Sequence, residues 1–434
     1  MTYCTDIQKP ASPRRRSLKR TLMTALTAVG ALTATTSLAA DMFLDDAILV
    51  NDDGSTQTVD IQIRDGMIAA MADGLQSTGE GETISGAWVT AGLVAPYSSL
   101  GLVDISGEGT TNDIRATTEL FSASLNAADS YNPRNVHIPN ARRRGVLYAA
   151  VVPQPSGERI FAGSGLTAVL DGSDNSILTE GAFMHIALGE AGANRAGGSR
   201  AAAMQQLRSA IADARRSYLQ HIEGDVFQRR DARAFRAVAS GRMPLMISAS
   251  RASDLRRIIQ LSADFENLEI MIVGAEEAYL VADELATSGI KVIVDPLENL
   301  PDTFDSVNAS LDNIIRLDAA GVDYAIAPLS ALGTVKAGIL AQHAGNAVGN
   351  GLSREAAMRA ITTTPAEWFG IDLGLREAGQ PASLVVWDGD PLEVTSAPIA
   401  MYRDGEALSL ESRMTALRDR YNPIVRDTRP HKYR

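Results

Sequence analysis

From Gly92 to about residue 380 the chain alternates short, continuously apolar runs with longer segments of helical period. GVLYAAVV, PLMISAS, LEIMIVG, KVIVDP and DYAIAPLS carry little polar alternation, which predicts strands buried on both faces. Helical stretches separate them. AAAMQQLRSAIADARRSYL sets Leu207, Ile211, Ala214 and Tyr218 on one face and arginines on the other. A helix capped by Ser253 is expected after PLMISAS, then EEAYLVADELATSG and SLDNIIRLDAAG after the next two strands. Such alternation over a span near 290 residues predicts an α/β fold, a TIM-type (β/α)8 barrel. A doubly wound open sheet is the alternative, weakened because no Gly-rich dinucleotide loop follows any strand.

Both flanks of this region are β-rich. FLDDAILV and VDIQIRDGMIAAM place Asp65-Gly66 at a hairpin turn, and ETISGAWVT follows. Near the other end, PASLVVWDGDPLE and APIAMYRDGEAL repeat the pattern, with Asp404-Gly405 at the bend. The expected organisation is a small composite β-sandwich domain built from 41–91 and 381–410, a barrel over 92–380, and a C-terminal helix and tail over 411–434.

The first 40 residues read as a secretory signal. PRRRSLKR precedes a mildly apolar run ending in small residues, with cleavage after Ala39 or Ala40. Arg14-Arg15 and Leu18-Lys19 also fit a twin-arginine export pattern. The threonine-rich run makes a poor spanning helix, so an exported, periplasmic protein with no stable membrane anchor after cleavage is expected. The whole chain carries −12, and the signal holds six basic residues against one acidic, leaving the rest at −17. An acidic surface repels phosphate backbones, which argues against nucleic-acid partners. The single cysteine, Cys4, leaves with the signal, taking disulfides and thiol nucleophiles with it.

GLSREAAMRAITTTPAEWFGI, AGQPASLVVWDGDPLE and YRDGEAL, together with GRMPLMISASRASDLRRIIQL and GAEEAYLVADELATSGIKVIVDP, resemble the amidohydrolase superfamily in its imidazolonepropionase- and dipeptidase-like branch. The resemblance implies hydrolysis of C–N bonds in non-peptide or dipeptide substrates by zinc or another divalent metal, which ionises bound water. It also implies an H-x-H pair on strand 1, often a carboxylated lysine on strand 4, histidines on strands 5 and 6, and an aspartate on strand 8 acting as base. Here the pair falls on Tyr97 and Ser99, the strand-5 histidine on Ser248 or Ser250, the strand-6 histidine on Gly274, and the aspartate on Pro328 or Leu329.

A test independent of register agrees. The histidines are His137, His185, His221, His343 and His431, so none precedes residue 137 and none lies between 221 and 343. No acidic residue stands between Asp323 and Glu355, and no lysine between Lys19 and Lys291. The sequence therefore predicts no bound metal cofactor and no catalytic residue. It leaves a candidate pocket of Tyr97, Ser99, Ser248, Ser250, Gly274 and Leu329, with Glu276 and Asp295 as polar groups.

Each of these residues also has a plainer reading. The serines fill space, since a serine nucleophile needs an adjacent base and no histidine is near in sequence. Glu276 and Glu277 begin a helix. His185 is a strand histidine hydrogen-bonded in the core, His343 is satisfied on a helix, and Arg142 to Arg144 form a solvated turn. The leading functional expectation is a non-catalytic relative that partners a catalytic amidohydrolase or forms a homo-oligomer. The rivals are a small-solute binding protein and a hydrolase with a non-standard site.

Overall fold

The computed structural model describes residues 41–422, apart from 78, 80, 118–120, 217–226, 331–334, 336 and 375. The expected signal, His221, His431 and the last twelve residues lie outside the described residues.

One sheet takes strands from both ends of the described chain. β1 (Met42–Val50), β2 (Thr56–Arg64), β3 (Met67–Ala72), β4 (Glu82–Ser85) and β5 (Trp88–Thr90) come first. β14 (Leu384–Trp387), β15 (Pro398–Arg403) and β16 (Glu406–Ala407) join them in the order β16-β15-β14-β5-β1-β2-β3, with β4 beside β1. Two-residue Asp-Gly turns close β2–β3 and β15–β16, and all four turn residues have positive φ, which suits the strand twist. The two turns abut. A Cβ on Gly66 would lie 1.9 Å from the carbonyl oxygen of Gly405, so glycine is required there by space as well as by φ.

The second sheet contains β6 (Leu93–Ser98), β7 (Val146–Val151), β8 (Phe161–Val169), β9 (Ile177–Ala187), β10 (Leu245–Ala249), β11 (Ile270–Gly274), β12 (Lys291–Val294) and β13 (Tyr324–Ile326), in sequence order. Its edges nearly meet. The turn at Ala360-Ile361 bridges them, accepting from Ile326 N at 3.0 Å and Val94 N at 2.8 Å.

This sheet departs from the expected strict alternation. β8 runs antiparallel to both neighbours, while the other pairs are parallel. The cause lies in the connections: residues 152–160 and 170–176 are too short for the crossover that a parallel pair needs. From β9 onward every connection carries helix, as in the crossover after β10 (helix Ala252–Asp264).

That helix buries Ala252, Leu255, Ile258 and Leu261 at three-residue spacing. Its N-terminus is not capped by Ser253; the first turn starts at Arg251, and Glu277 Oε2 accepts from Ala252 N at 3.0 Å. Glu277 does stand at the N-cap of the 3-10 helix Ala278–Val281, but its side chain caps the neighbouring helix instead. Arg142 also departs from expectation. It is buried, donating to the carbonyls of Leu170 (2.9 Å) and Ser409 (2.7 Å).

Candidate functional site

The carboxyl ends of β6, β10, β11 and β13, with the loops after β9 and β12, enclose a cleft of about 360 Å³. Tyr97, Ser248, Ser250, Gly274, Glu276 and Leu329 all line it. Six positions spread over more than 230 residues of sequence are therefore neighbours, because parallel strands deliver their last residues to one face. Ser99 and Asp295 are not among the lining groups. Ser99 is buried, its Oγ without a hydrogen-bond partner among the described residues. Asp295 is a latch beneath the mouth: Oδ2 accepts from Leu329 N at 2.9 Å, while Oδ1 accepts from Leu297 N at 3.1 Å and meets His343 Nδ1 at 2.9 Å.

His185 is the histidine that the sequence left in the core, and there it is fully buried. What the sequence could not show is its neighbour. β9 and β10 pair in parallel, placing His185 Nε2 at 2.8 Å from Ser248 Oγ across 63 residues of chain. Nδ1 lies 2.6 Å from the carbonyl oxygen of Pro153. Burial lowers the imidazole pKa to about 4, so the ring is neutral at ordinary pH.

These contacts fix the direction of a hydrogen-bond chain. A carbonyl only accepts, so Nδ1 carries the single proton of the neutral ring and Nε2 is an acceptor. Ser248 O–H therefore donates to Nε2. Tyr97 packs its ring edge-on to His185 at 5.9 Å, and its hydroxyl accepts from Gln154 Nε2 at 2.6 Å. The directed part of the chain runs Ser248 to His185 to Pro153, while Gln154 donates to Tyr97 beside it. Burial raises the Tyr97 pKa, so the phenol stays protonated. Tyr97→Phe should cost about 1–2 kcal/mol, since the Gln154 amide loses its acceptor in a part-buried place. Thermal melts of the two proteins measure this directly.

The cleft also carries acidic groups: Glu190, Glu276 and Asp305 line it. Asp305 is engaged by Arg200 and by the backbone N–H of Glu190. Glu276 and Glu190 each keep one buried oxygen, Oε2, without a partner among the described residues. Burial, opposed by the adjacent Ser250 hydroxyl, pushes the Glu276 carboxyl above its ordinary range. A Cβ at Gly274 would come within 3.3 Å of both Ser250 Oγ and Glu276 Oε2, so this backbone passes close to both side chains.

The cleft's donor set does not fit a divalent metal. Hydroxyls, a glycine and a leucine occupy the strand ends, His185 has both ring nitrogens engaged, and the carboxylates of Glu190, Glu276 and Asp305 do not converge on one point. Among the described residues no group of three or more His, Cys, Asp or Glu side chains is placed to share an ion.

Residues 255–410 match the family described as the amidohydrolase family. A 59-residue stretch, 13% of the chain, is 46% identical to "Amidohydrolase tasK" of Hapsidospora irregularis, spanning 6% of that protein. The fold is similar to that of an amidohydrolase from Thermotoga maritima MSB8, with a TM-score of 0.72 at 19% identity over 85% of this chain and 99% of the other.

Proposed function

We propose that this chain is an exported amidohydrolase-superfamily protein whose barrel mouth works without a metal and receives a small polar ligand. The fold is read as a (β/α)8-type barrel, with one antiparallel strand, carrying a composite β-sandwich. The observation that carries the reading is that Tyr97, Ser248, Ser250, Gly274 and Leu329, none of them an imidazole or a carboxylate, stand at the strand ends around one cleft. That cleft falls within the size range of small-molecule sites. Its acidic groups favour a ligand with a protonated amine, since the unpartnered Glu oxygens need donors.

Protein produced with added zinc or manganese is expected to contain far less than one equivalent of metal by elemental analysis. Amine-bearing metabolites are expected to raise its melting temperature through that cleft. One tightly held metal per chain would end the proposal.

A second reading, docking on a catalytic relative or on another copy, draws on the loop after β12. Leu300 and Phe304 there are 69% and 84% exposed beside the cleft residues Thr303 and Asp305. Light scattering that finds only monomer, alone and with a catalytic relative, would remove it.

A further inference from the structure

We propose that Ser248 is an activated nucleophile, with His185 as its general base and the Pro153 carbonyl as the group that orients the base, acting on small acyl donors that carry a protonated amine. The inference rests on the metal-free reading of the mouth and goes beyond it by assigning a reaction. Three features of the geometry support it.

The first is the pair itself. A nucleophilic serine needs a base within hydrogen-bond reach and a third group that sets the base's tautomer. Ser248 Oγ to His185 Nε2 is 2.8 Å, and Nδ1 to Pro153 O is 2.6 Å. The carbonyl takes the orienting role that a carboxylate plays in the familiar triads. The second is access. His185 is fully buried, but Ser248 is only part-buried and lines the cleft, so the oxygen faces ligand while the base is shielded from water. The third is Tyr97, which lines the same cleft as Ser248 and keeps a protonated hydroxyl there to donate to the oxyanion as it develops during attack.

The reaction balances with water as the only co-reactant. Ser248 Oγ forms a bond to the acyl carbon while its proton passes to His185 Nε2. The bond from that carbon to the leaving group then breaks, and the leaving group takes the proton from Nε2. Water adds to the acyl ester by the same route, releasing the acid and restoring the Ser248 hydroxyl. Glu190 and Glu276 in the same cleft select a cationic group on the acyl donor.

The test treats the purified protein with two fluorophosphonates, one bearing an amine tail and one a carboxylate tail, and maps adducts by peptide mass spectrometry. Ser248 Oγ should displace fluoride and gain the phosphonyl group, faster with the amine tail. Ser248→Ala should abolish the adduct. A His185→Gln variant that melts cooperatively should label about 100-fold more slowly, the lower end of general-base effects. No adduct on wild-type protein, an adduct on another residue, or an undiminished rate in folded H185Q overturns the assignment. Faster labelling by the carboxylate tail overturns the cationic selectivity. Metal content measured on the same sample keeps the failures apart. An unlabelled, metal-free sample removes only the nucleophile, whereas stoichiometric metal removes the reading of the mouth.

Discussion

Between pH 7 and pH 4.5 the wild-type protein should lose about 2–3 kcal/mol of stability that a His185→Gln variant keeps. His185 is fully buried, and that burial lowers its pKa to about 4 from the ordinary 6.5; its hydrogen bond with Pro153 pulls weakly the other way. A base whose folded pKa is depressed prefers the folded state when neutral. The stabilisation is complete above about pH 6.5 and drains away as the pH falls toward 4, because the unfolded chain takes up the proton first. Desolvation explains the resistance to protonation, because imidazolium would be a charge buried away from water.

Buried acids act in the opposite sense. Burial raises the pKa values of Glu276, Glu298 and Asp254, and like charges nearby add to it, so their protonation in mild acid favours the folded state. Wild type and variant share those groups, which is why the difference between their pH profiles isolates His185. Urea unfolding followed by tryptophan fluorescence at several pH values between 4.5 and 7 measures it. Parallel profiles would show that His185 is not held neutral by burial.

The same histidine marks where the sequence could and could not be read. His185 stands alone in the apolar run FMHIALG, and a polar ring in such a strand must be hydrogen-bonded, so its core position was legible. Its partner was not, because the register of β9 against β10 is a long-range fact and Ser248 lies 63 residues away. Strand ends were legible for a related reason. Continuous apolar runs locate buried parallel strands, and their last residues must gather on one face, as Tyr97, Ser248, Gly274 and Leu329 do.

The antiparallel β8 escaped because nothing in FAGSGLTAV marks strand direction; only the short connections on either side distinguish it. Asp295 was assigned to the pocket by its place after β12. Three hydrogen bonds turn its carboxylate inward instead. Loop carboxylates answer to whichever backbone N–H groups approach them, and sequence carries no record of that approach. Glu277 shows the same principle, capping a helix from another connection.

Trp387→Ala should be the most damaging single change in the terminal sheet, costing about 4 kcal/mol and lowering the unfolding temperature of sheet and barrel together. Neighbouring side chains of β14 point to opposite faces. Leu384 and Val386 enter the apolar core of the terminal sheet, whereas Val385 and Trp387 enter the core shared with the barrel. Trp387 is 2% exposed. Its ring covers Gly145, where a Cβ would lie 2.3 Å from the indole, so the turn before β7 is shaped around it. Nε1 donates to Thr90 Oγ1 at 3.0 Å, and Thr90 in turn donates to the carbonyl of Ala91 at 2.7 Å. Truncation to alanine removes the transfer energy of a buried indole and opens a void between β5, β14 and the barrel, which stiff strands cannot close. Trp387→Phe separates the contributions: it keeps an aromatic ring and loses one hydrogen bond, while Thr90 keeps its acceptor in Ala91, so the cost should fall to about 1–2 kcal/mol. Chemical denaturation of the three proteins gives the differences. Because the strand binds one core on each face, W387A should still unfold in a single transition. Two resolved transitions would mean that the terminal sheet and the barrel stand independently, and that this indole is not what couples them.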